Sequence, residues 1–308
     1  MESTKSSYGK FLVEVASKNP DVVVLDADTS HSTNTLAFAE KFPGRFFNMG
    51  CAEQSLLATA AGLANAGKIP FASCFSLFGS GRAWEQIRNF IAFEKYNVKM
   101  VFTHAGLSNA PDGSSHQSLE DIALMRVIPG LIVGIPCDAE ETRSMLSAIL
   151  ETPGPAYIRL RRIEEEILDK PYDFILGKAG IMKDGSDVTL VGTGMTVPIV
   201  LEAQEQLKNL GISARVLNIH TVQPIDETAL MQAARETAGI ITVENHSIIG
   251  GLGGAVAEVM ASRSPCFVKR IGIVNSFGES ALKVPELFRK YGLTAEHVVA
   301  EAKTVVKE

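Results

Sequence analysis

Short runs of β-branched and aromatic residues alternate with stretches of helix-forming residues along most of this chain of 308 residues. In the first half, the strand-like runs recur between amphipathic or Ala-rich segments at 22–25, 45–48, 70–75, 98–103, 131–135 and 156–160. A regular alternation of this kind predicts a parallel sheet with helices on both of its faces. We therefore expect an α/β fold, in which ligands bind at the loops that follow the carboxyl ends of the strands.

A break in the alternation divides the chain into two parts. The segment 164–183 contains an acidic cluster, a proline and two glycines. Beyond it, strands are expected at 187–192, 214–219 and 239–244, with helices at 197–210 and 227–237. A chain of this length holds about two domains of ordinary size. We predict a first domain at 1–168, a linker at 169–184 and a smaller α/β domain at 185–308.

Charge and cysteine content exclude several classes of protein. The chain has 29 Lys and Arg residues against 35 Asp and Glu residues, a net charge of -6, and its basic residues are scattered, which argues against a nucleic-acid partner. The four cysteines are far apart, so neither a zinc site nor a disulfide framework is predicted. The N-terminus has no apolar signal core and no apolar run is long enough to span a membrane. We expect a soluble, cytoplasmic protein with no membrane partner.

One carboxylate, Glu53, lies at the junction between a short apolar run and a helix of small residues. The sequence FFNMGCAEQ occupies 46–54, and the following 55–66 are mostly Ala, Leu and Gly. Such a helix can pack closely against a neighbour and leave Glu53 in a dry environment suited to proton transfer. Taken alone, the residue fits better with a solvated acid at the positive end of a helix.

Polar and aromatic residues recur after the predicted strands of the first half. They follow the first four strands in order: Asp26 and Asp28, then Glu53, then Phe75 and Phe78, then His104. A polar loop at 109–117 with two turn signals adds His116. Each of these residues alone could be a cap, a core residue or a surface residue. Together they predict an α/β protein with a polar, aromatic-lined site, without the spacing of a metal site or a serine hydrolase.

Four motifs of the first half resemble, in order, the pyrimidine-binding domain of transketolases. They are NMGCAEQ at 48–54, CFSLF at 74–78, THAG at 103–106 and DGSSHQ at 112–117. In the second half, NIHTVQPID at 218–226 and VENHS at 243–247, before GGLG at 250–253, resemble the C-terminal domain of the same family. The resemblance covers essentially the whole chain and implies that both domains have the α/β folds of that family.

The cofactor implied by this resemblance is thiamine diphosphate. In the family, a Gly-Asp-Gly motif followed by Asn holds the diphosphate and Mg²⁺, and this sequence contains no Gly-Asp-Gly. The chain therefore resembles the C-terminal subunit of a split transketolase, whose N-terminal subunit would carry the diphosphate and Mg²⁺ site. Self-association through the pyrimidine domains would then give a heterotetramer.

The resemblance also implies roles for the residues that follow the strands. Glu53 matches the glutamate that hydrogen-bonds the aminopyrimidine ring and promotes its imino tautomer. Phe75 and Phe78 match the aromatic pocket around that ring, and Asp28 matches an acidic residue beside the cofactor.

Other matched residues belong to the substrate channel. His104 and His116 line this channel, and His116 is the one expected to contact the donor oxygen. Asp112 matches a residue that binds a substrate hydroxyl. The sugar phosphate would be bound by Ser32 with Arg161 or Arg162. Lys5 stands where the family commonly has an arginine, so the bidentate geometry for a phosphate is lost there.

The implied activity is transfer of a two-carbon ketol unit between ketose and aldose phosphates. Lys5 leaves open a sulfonated or branched sugar, of the 6-deoxy-6-sulfofructose or apulose 4-phosphate type. Relatives that make 1-deoxyxylulose 5-phosphate and the β-subunits of 2-oxoacid dehydrogenases share the domain order, and a structural or regulatory subunit is the alternative without catalysis.

Overall fold

The computed structural model describes residues 1–307. Its strands are β1 (Glu2–Ser3), β2 (Val22–Asp26), β3 (Phe46–Asn48), β4 (Ile69–Ser73), β5 (Lys99–Phe102), β6 (Ile132–Gly134), β7 (Ala156–Arg159), β8 (Glu164–Glu165), β9 (Gly180–Lys183), β10 (Val188–Gly192), β11 (Ala214–Asn218), β12 (Thr221–Gln223), β13 (Gly239–Ser247) and β14 (Phe267–Ile273). Its α-helices are α1 (Thr4–Lys18), α2 (Ser30–Thr33), α3 (Leu36–Lys41), α4 (Glu53–Asn65), α5 (Trp84–Gln86), α6 (Asp121–Arg126), α7 (Ala139–Glu151), α8 (Val197–Asn209), α9 (Glu227–Glu236), α10 (Leu252–Arg263), α11 (Val284–Lys290) and α12 (Ala295–Lys307). Within residues 1–307, no helix combines the length and apolar character needed to cross a bilayer.

Seven strands form the first sheet, in the order β12-β6-β7-β5-β4-β2-β3. All neighbouring pairs are parallel except β12 with β6. Burial at every position of β2, β5 and β7 is the pattern expected of a parallel sheet covered on both faces. The carboxyl ends of β2, β3, β4 and β5 therefore meet at one edge of the sheet.

The second sheet has the order β14-β13-β10-β11-β9 and is parallel except for the pair β11 and β9. The α/β prediction for both halves is confirmed by these two sheets. Strand β9 lies inside the segment 169–184 that we predicted to be a linker, and the exact domain boundaries stay a prediction. Strand β12 comes from the second half of the chain yet completes the first sheet, a pairing that the alternation alone did not predict.

The helix α10 begins against the buried carboxylate of Glu244. The backbone N–H groups of Leu252 and Gly253 donate to Glu244 at 2.7 and 2.9 Å. A Cβ at Gly251 would lie 2.0 Å from Glu244 Oε2, so only glycine allows this approach. Burial raises the pKa of Glu244 to about 7, against the hydrogen bonds that favour its charged form.

A buried ion pair of the first domain also contacts the second domain. Arg159, at the end of β7, contacts Asp121 at 2.6 Å, and the two side chains are 6% and 0% exposed. Arg159 also donates to the backbone carbonyls of Ser118 and Asn245, each at 3.1 Å, and Asn245 lies on β13 of the second sheet. Burial raises the pKa of Asp121, but the Arg159 charge and its hydrogen bonds outweigh burial and hold that pKa below its usual range. The pair thus fixes the domains to each other through groups that would be costly to leave unpaired.

We expect Asp121→Asn to lower the free energy of unfolding by about 3–5 kcal/mol, because the substitution leaves the buried Arg159 guanidinium without its counter-charge. The control is Glu258→Gln, a loss of one carboxylate charge in the ion pair with Arg126, where the Glu258 side chain is 64% exposed. This change should cost less than about 1 kcal/mol. Urea titrations followed by circular dichroism measure both. Equal losses in the two variants would contradict the assigned role of the buried pair.

Candidate functional site

Glu53 is the first residue of α4 and is buried, with 4% of its surface exposed. Arg82 Nη1 donates to Glu53 Oε2 at 2.9 Å, while more than half of the Arg82 side chain remains exposed. The same guanidinium lies 5.0 Å from the centroid of the Phe78 ring. Glu53 is therefore a buried carboxylate with one charged partner at the solvent side, beside an aromatic ring.

Four rings form a continuous cluster next to this carboxylate. Phe75 and Phe78 stack with centroids 6.3 Å apart, and Phe75 stacks on His104 at 4.1 Å. His116 approaches Phe78 edge-on at 5.1 Å. Thus the structure brings together Phe75, Phe78, His104 and His116, which follow different predicted strands and loops in the sequence.

His104 is held in an unusual backbone conformation. Its φ is +61°, and its Nδ1 lies 2.8 Å from the hydroxyl of Thr103. Burial, then the positive charges of Lys5 and Arg162, lower the pKa of His104 to about 3 against the opposing charge of Asp112. The ring is therefore neutral at physiological pH and can both donate and accept a hydrogen bond.

Two cations lie near His104. Lys5 Nζ donates to the backbone carbonyl of Ser32 at 3.1 Å, and Arg162 forms an ion pair of 3.3 Å with Asp112. Burial, then the charge of Arg162, lower the pKa of Lys5, and Glu164 opposes this shift. The two like charges are thus close enough to disfavour each other, an arrangement that an anion would relieve.

Arg161 and Arg162 differ in their placement. The Arg162 guanidinium donates to Asn109 Oδ1 at 2.8 Å beside Asp112, whereas the Arg161 guanidinium donates to the carbonyls of Pro136 and Cys137. Arg161 is 4% exposed. Of the two arginines named from the sequence, Arg162 lies near His104. Arg161 instead binds the backbone of the segment that leads into α7.

Asp28 lies on the loop after β2 and is exposed. It accepts a hydrogen bond of 2.8 Å from the side chain of Asn48, at the end of β3. Its neighbour Asp26 is instead fully buried and accepts from Thr29, Thr33 and Thr35. Asp26 therefore stabilises the loop, and Asp28 is the exposed carboxylate beside the end of β3.

Sequence reasoning missed Arg82. It follows Phe78 by four residues, and the segment Phe78–Arg82 is a π-helical turn. A spacing of four residues on a helical turn places two side chains on the same face, so the position relative to Phe78 was a usable signal. Among residues 1–307, no group of three or more His, Cys, Asp and Glu side chains is arranged to hold a metal ion.

Two family models match the chain in sequence. The transketolase pyrimidine binding domain matches residues 2–165, and the transketolase C-terminal domain matches residues 177–298. A transketolase C-terminal section from Methanocaldococcus jannaschii is 48% identical over 99% of this chain and 95% of the relative. A 6-deoxy-6-sulfo-D-fructose transketolase subunit from a Clostridium species is 40% identical over 98% of this chain and 94% of the relative.

A solved structure is similar over the whole chain. It is the inactive β4 tetramer of a split gene transketolase, with 47% sequence identity and a TM-score of 0.89. The match covers 99% of this chain and 98% of that one. Both domains and their mutual arrangement therefore follow the fold of that protein.

We expect the free energy of unfolding to change less with pH in His104→Gln than in the wild type. In the unfolded chain the histidine titrates near 6.5 and in the folded chain near 3, so between these values the unfolded state binds more protons. The contribution of His104 is complete above the unfolded pKa and is lost as pH falls towards the folded pKa. At pH 5 the wild type should lose about 2 kcal/mol relative to pH 7 through this group, a loss absent from the variant.

Urea titrations at several pH values measure this effect. Burial also lowers the pKa of His246 to about 4, and its contribution remains in both proteins. The comparison between variant and wild type therefore isolates His104. Identical pH dependence in the two proteins would contradict its low pKa.

Proposed function

Because this chain belongs to the transketolase family, we propose that it is the C-terminal subunit of a thiamine-diphosphate-dependent transketolase made of two polypeptides. It transfers a two-carbon ketol unit from a ketose phosphate to an aldose phosphate. The observation that carries this proposal is the continuous cluster of the Phe75 and Phe78 rings with the two histidines. The buried Glu53 is linked to it through Arg82, whose guanidinium binds Glu53 and lies over the Phe78 ring.

The residues at Glu53 fit one end of the cofactor. A flat aminopyrimidine needs an apolar surface for its ring and a carboxylate for its ring nitrogen, and Phe75, Phe78 and Glu53 supply both. When bound, thiamine diphosphate supplies the nucleophilic carbon that accepts the ketol unit. Glu53 would hold the pyrimidine and exchange a proton with it, and burial of Glu53 keeps water from competing for that hydrogen bond. Asp28, on the loop after β2, would lie beside the same end of the cofactor.

The two histidines and Asp112 would act on the substrate. His104, neutral at physiological pH, would orient a substrate hydroxyl without adding charge. His116 would donate to the donor oxygen on which negative charge develops, and electrostatic stabilisation of this kind is a large term in catalysis. Asp112, paired with Arg162, would accept a hydrogen bond from a substrate hydroxyl.

Lys5, Arg162 and Ser32 of the short helix α2 would bind the anionic end of the sugar. The mutual repulsion of the two cations decreases when an anion binds between them. Lys5 offers a point charge where the family commonly has a planar fork. This supports a second candidate, in which the anion is a sulfonate or belongs to a branched sugar, and the 40% identity to a sulfofructose transketolase subunit favours it.

The diphosphate and Mg²⁺ would be held by a separate N-terminal subunit. The chain covers 95% of a relative described as a C-terminal section, and it contains no Gly-Asp-Gly. Arg82 and Asp112 are exposed, and that subunit would close the site over them. Two copies of each chain would form a heterotetramer.

We expect Glu53→Gln to lower turnover about 100-fold or more in the complex with the N-terminal subunit, because it removes a proton-transfer group. The assay is ketol transfer from xylulose 5-phosphate to ribose 5-phosphate with thiamine diphosphate and Mg²⁺. Glu85→Gln, the same change at an exposed position of α5, is the control and should keep wild-type turnover. Full activity of Glu53→Gln would favour a structural or regulatory subunit, and activity of the chain alone would refute the need for a partner.

We expect Lys5→Met to raise the KM for xylulose 5-phosphate about tenfold or more, because a hydrogen bond to a charged group is lost. The KM for xylulose, which has no phosphate, should not change. Lys10→Met, at an exposed position of the same helix, is the control. Equal changes of KM for both sugars would mean that the anion does not bind at Lys5. Preference of the wild type for a sulfonated ketose would favour the second candidate.

A further inference from the structure

A segment of the second domain, residues 274–283, lies against the loop 109–117 of the first domain. We call these the clamp segment and the catalytic loop. The backbone N–H of Ala281 donates to the carbonyl of Ala110 at 3.0 Å. The catalytic loop contains Asp112 and His116, so a contact from the second domain reaches the residues that our proposed function assigns to the substrate.

Gln117 is the side chain that joins the two segments. It is 2% exposed, and its Nε2 donates to the carbonyl of Asn109 at 3.2 Å and to the carbonyl of Glu279 at 2.9 Å. One amide group therefore closes the catalytic loop on itself and ties it to the clamp segment. Since Gln117 follows His116 directly, displacement of Gln117 would also displace the imidazole.

Two glycines allow the close approach of the segments. A Cβ at Gly278 would lie 1.8 Å from Gln117 Oε1, and a Cβ at Gly113 would lie 2.3 Å from the hydroxyl oxygen of Ser280. Gly113 also has a φ of +73°, which favours glycine in any case. A side chain at either position would therefore displace the polar end of a side chain on the facing segment.

Both segments are anchored in the second domain. Leu107, just before the catalytic loop, and Ala110, within it, are buried in the same apolar cluster as Val284 and Leu287 of α11. On the clamp side, the hydroxyl of Tyr291 donates to the carbonyl of Phe277 at 3.0 Å. The clamp segment is therefore held by its own domain and can restrain the loop.

We propose that the C-terminal domain positions the catalytic loop through Gln117 and the clamp segment, and so sets the placement of His116 and Asp112 for turnover. This inference rests on the proposed function for its effect on catalysis. It makes Gln117 and Gly278 positioning residues, since neither is assigned a contact with substrate or cofactor.

The test is Gly278→Ala in the complex with the N-terminal subunit. The added methyl group collides with the Gln117 amide, and a misplacement of about 1 Å can lower turnover by up to about 100-fold. We expect a loss of about tenfold or more in kcat per complex, with the KM of the donor changed less than about threefold. Gly254→Ala in α10 is the matched control, because a Cβ there meets nothing within 4 Å.

A double-mutant cycle shows whether the substitution acts through Gln117. If it does, Gly278→Ala combined with Gln117→Ala should lose no more turnover than Gln117→Ala alone. Hydrogen exchange of peptides that span 105–119 provides a second readout on the isolated chain. Exchange should accelerate in Gly278→Ala and stay at the wild-type rate in Gly254→Ala.

Equal kcat for Gly278→Ala and Gly254→Ala would overturn the proposal, as would losses that multiply in the double variant. Faster exchange with unchanged kcat would also overturn it, because the restraint would then have no effect on catalysis. An inactive wild-type complex would instead refute the proposed function. In that case the exchange rates alone decide whether the clamp segment restrains the loop.

Discussion

The buried ion pair between Asp121 and Arg159 is the contact on which the rest of the structure depends. Both charges are buried, so each needs the other and the surrounding hydrogen bonds. The guanidinium also binds the carbonyls of Ser118, just after the catalytic loop, and Asn245, on β13. The Arg159 guanidinium therefore has all its partners only when β7, α6 and the second domain are in place together. This also fixes the end of the catalytic loop.

The candidate site shows a graded electrostatic organisation along one edge of the first sheet. At one end, Glu53 is buried beside aromatic rings with Arg82 at its solvent side. At the other, Lys5 and Arg162 provide positive charge near Asp112. Between them, burial and the two cations keep His104 neutral. An arrangement of this kind suits an aromatic ring at one end and, at the other, the anionic group of a second molecule, as in the proposed pairing of cofactor and sugar.

The fold class and most strands could be predicted from local sequence because parallel strands buried on both faces have a distinctive composition. The pairing of β12 with β6 could not, since it joins residues about ninety positions apart and depends on domain packing. Family motifs predicted the residues of the ring cluster, and the structure brings Phe75, Phe78, His104 and His116 together. The different placement of Arg161 and Arg162 depends on the direction of side chains after β7, which adjacent sequence positions do not specify.

Strand β12 comes from the second half of the chain but pairs with β6 in the first sheet. Without residues 221–223, the edge of the first sheet at β6 would present unpaired backbone N–H and C=O groups to solvent. Exposed edges of this kind pair readily with other chains and promote aggregation. The first domain, although it matches a family model of its own, therefore depends on residues 221–223 of the second half of the chain to cover this edge of its sheet.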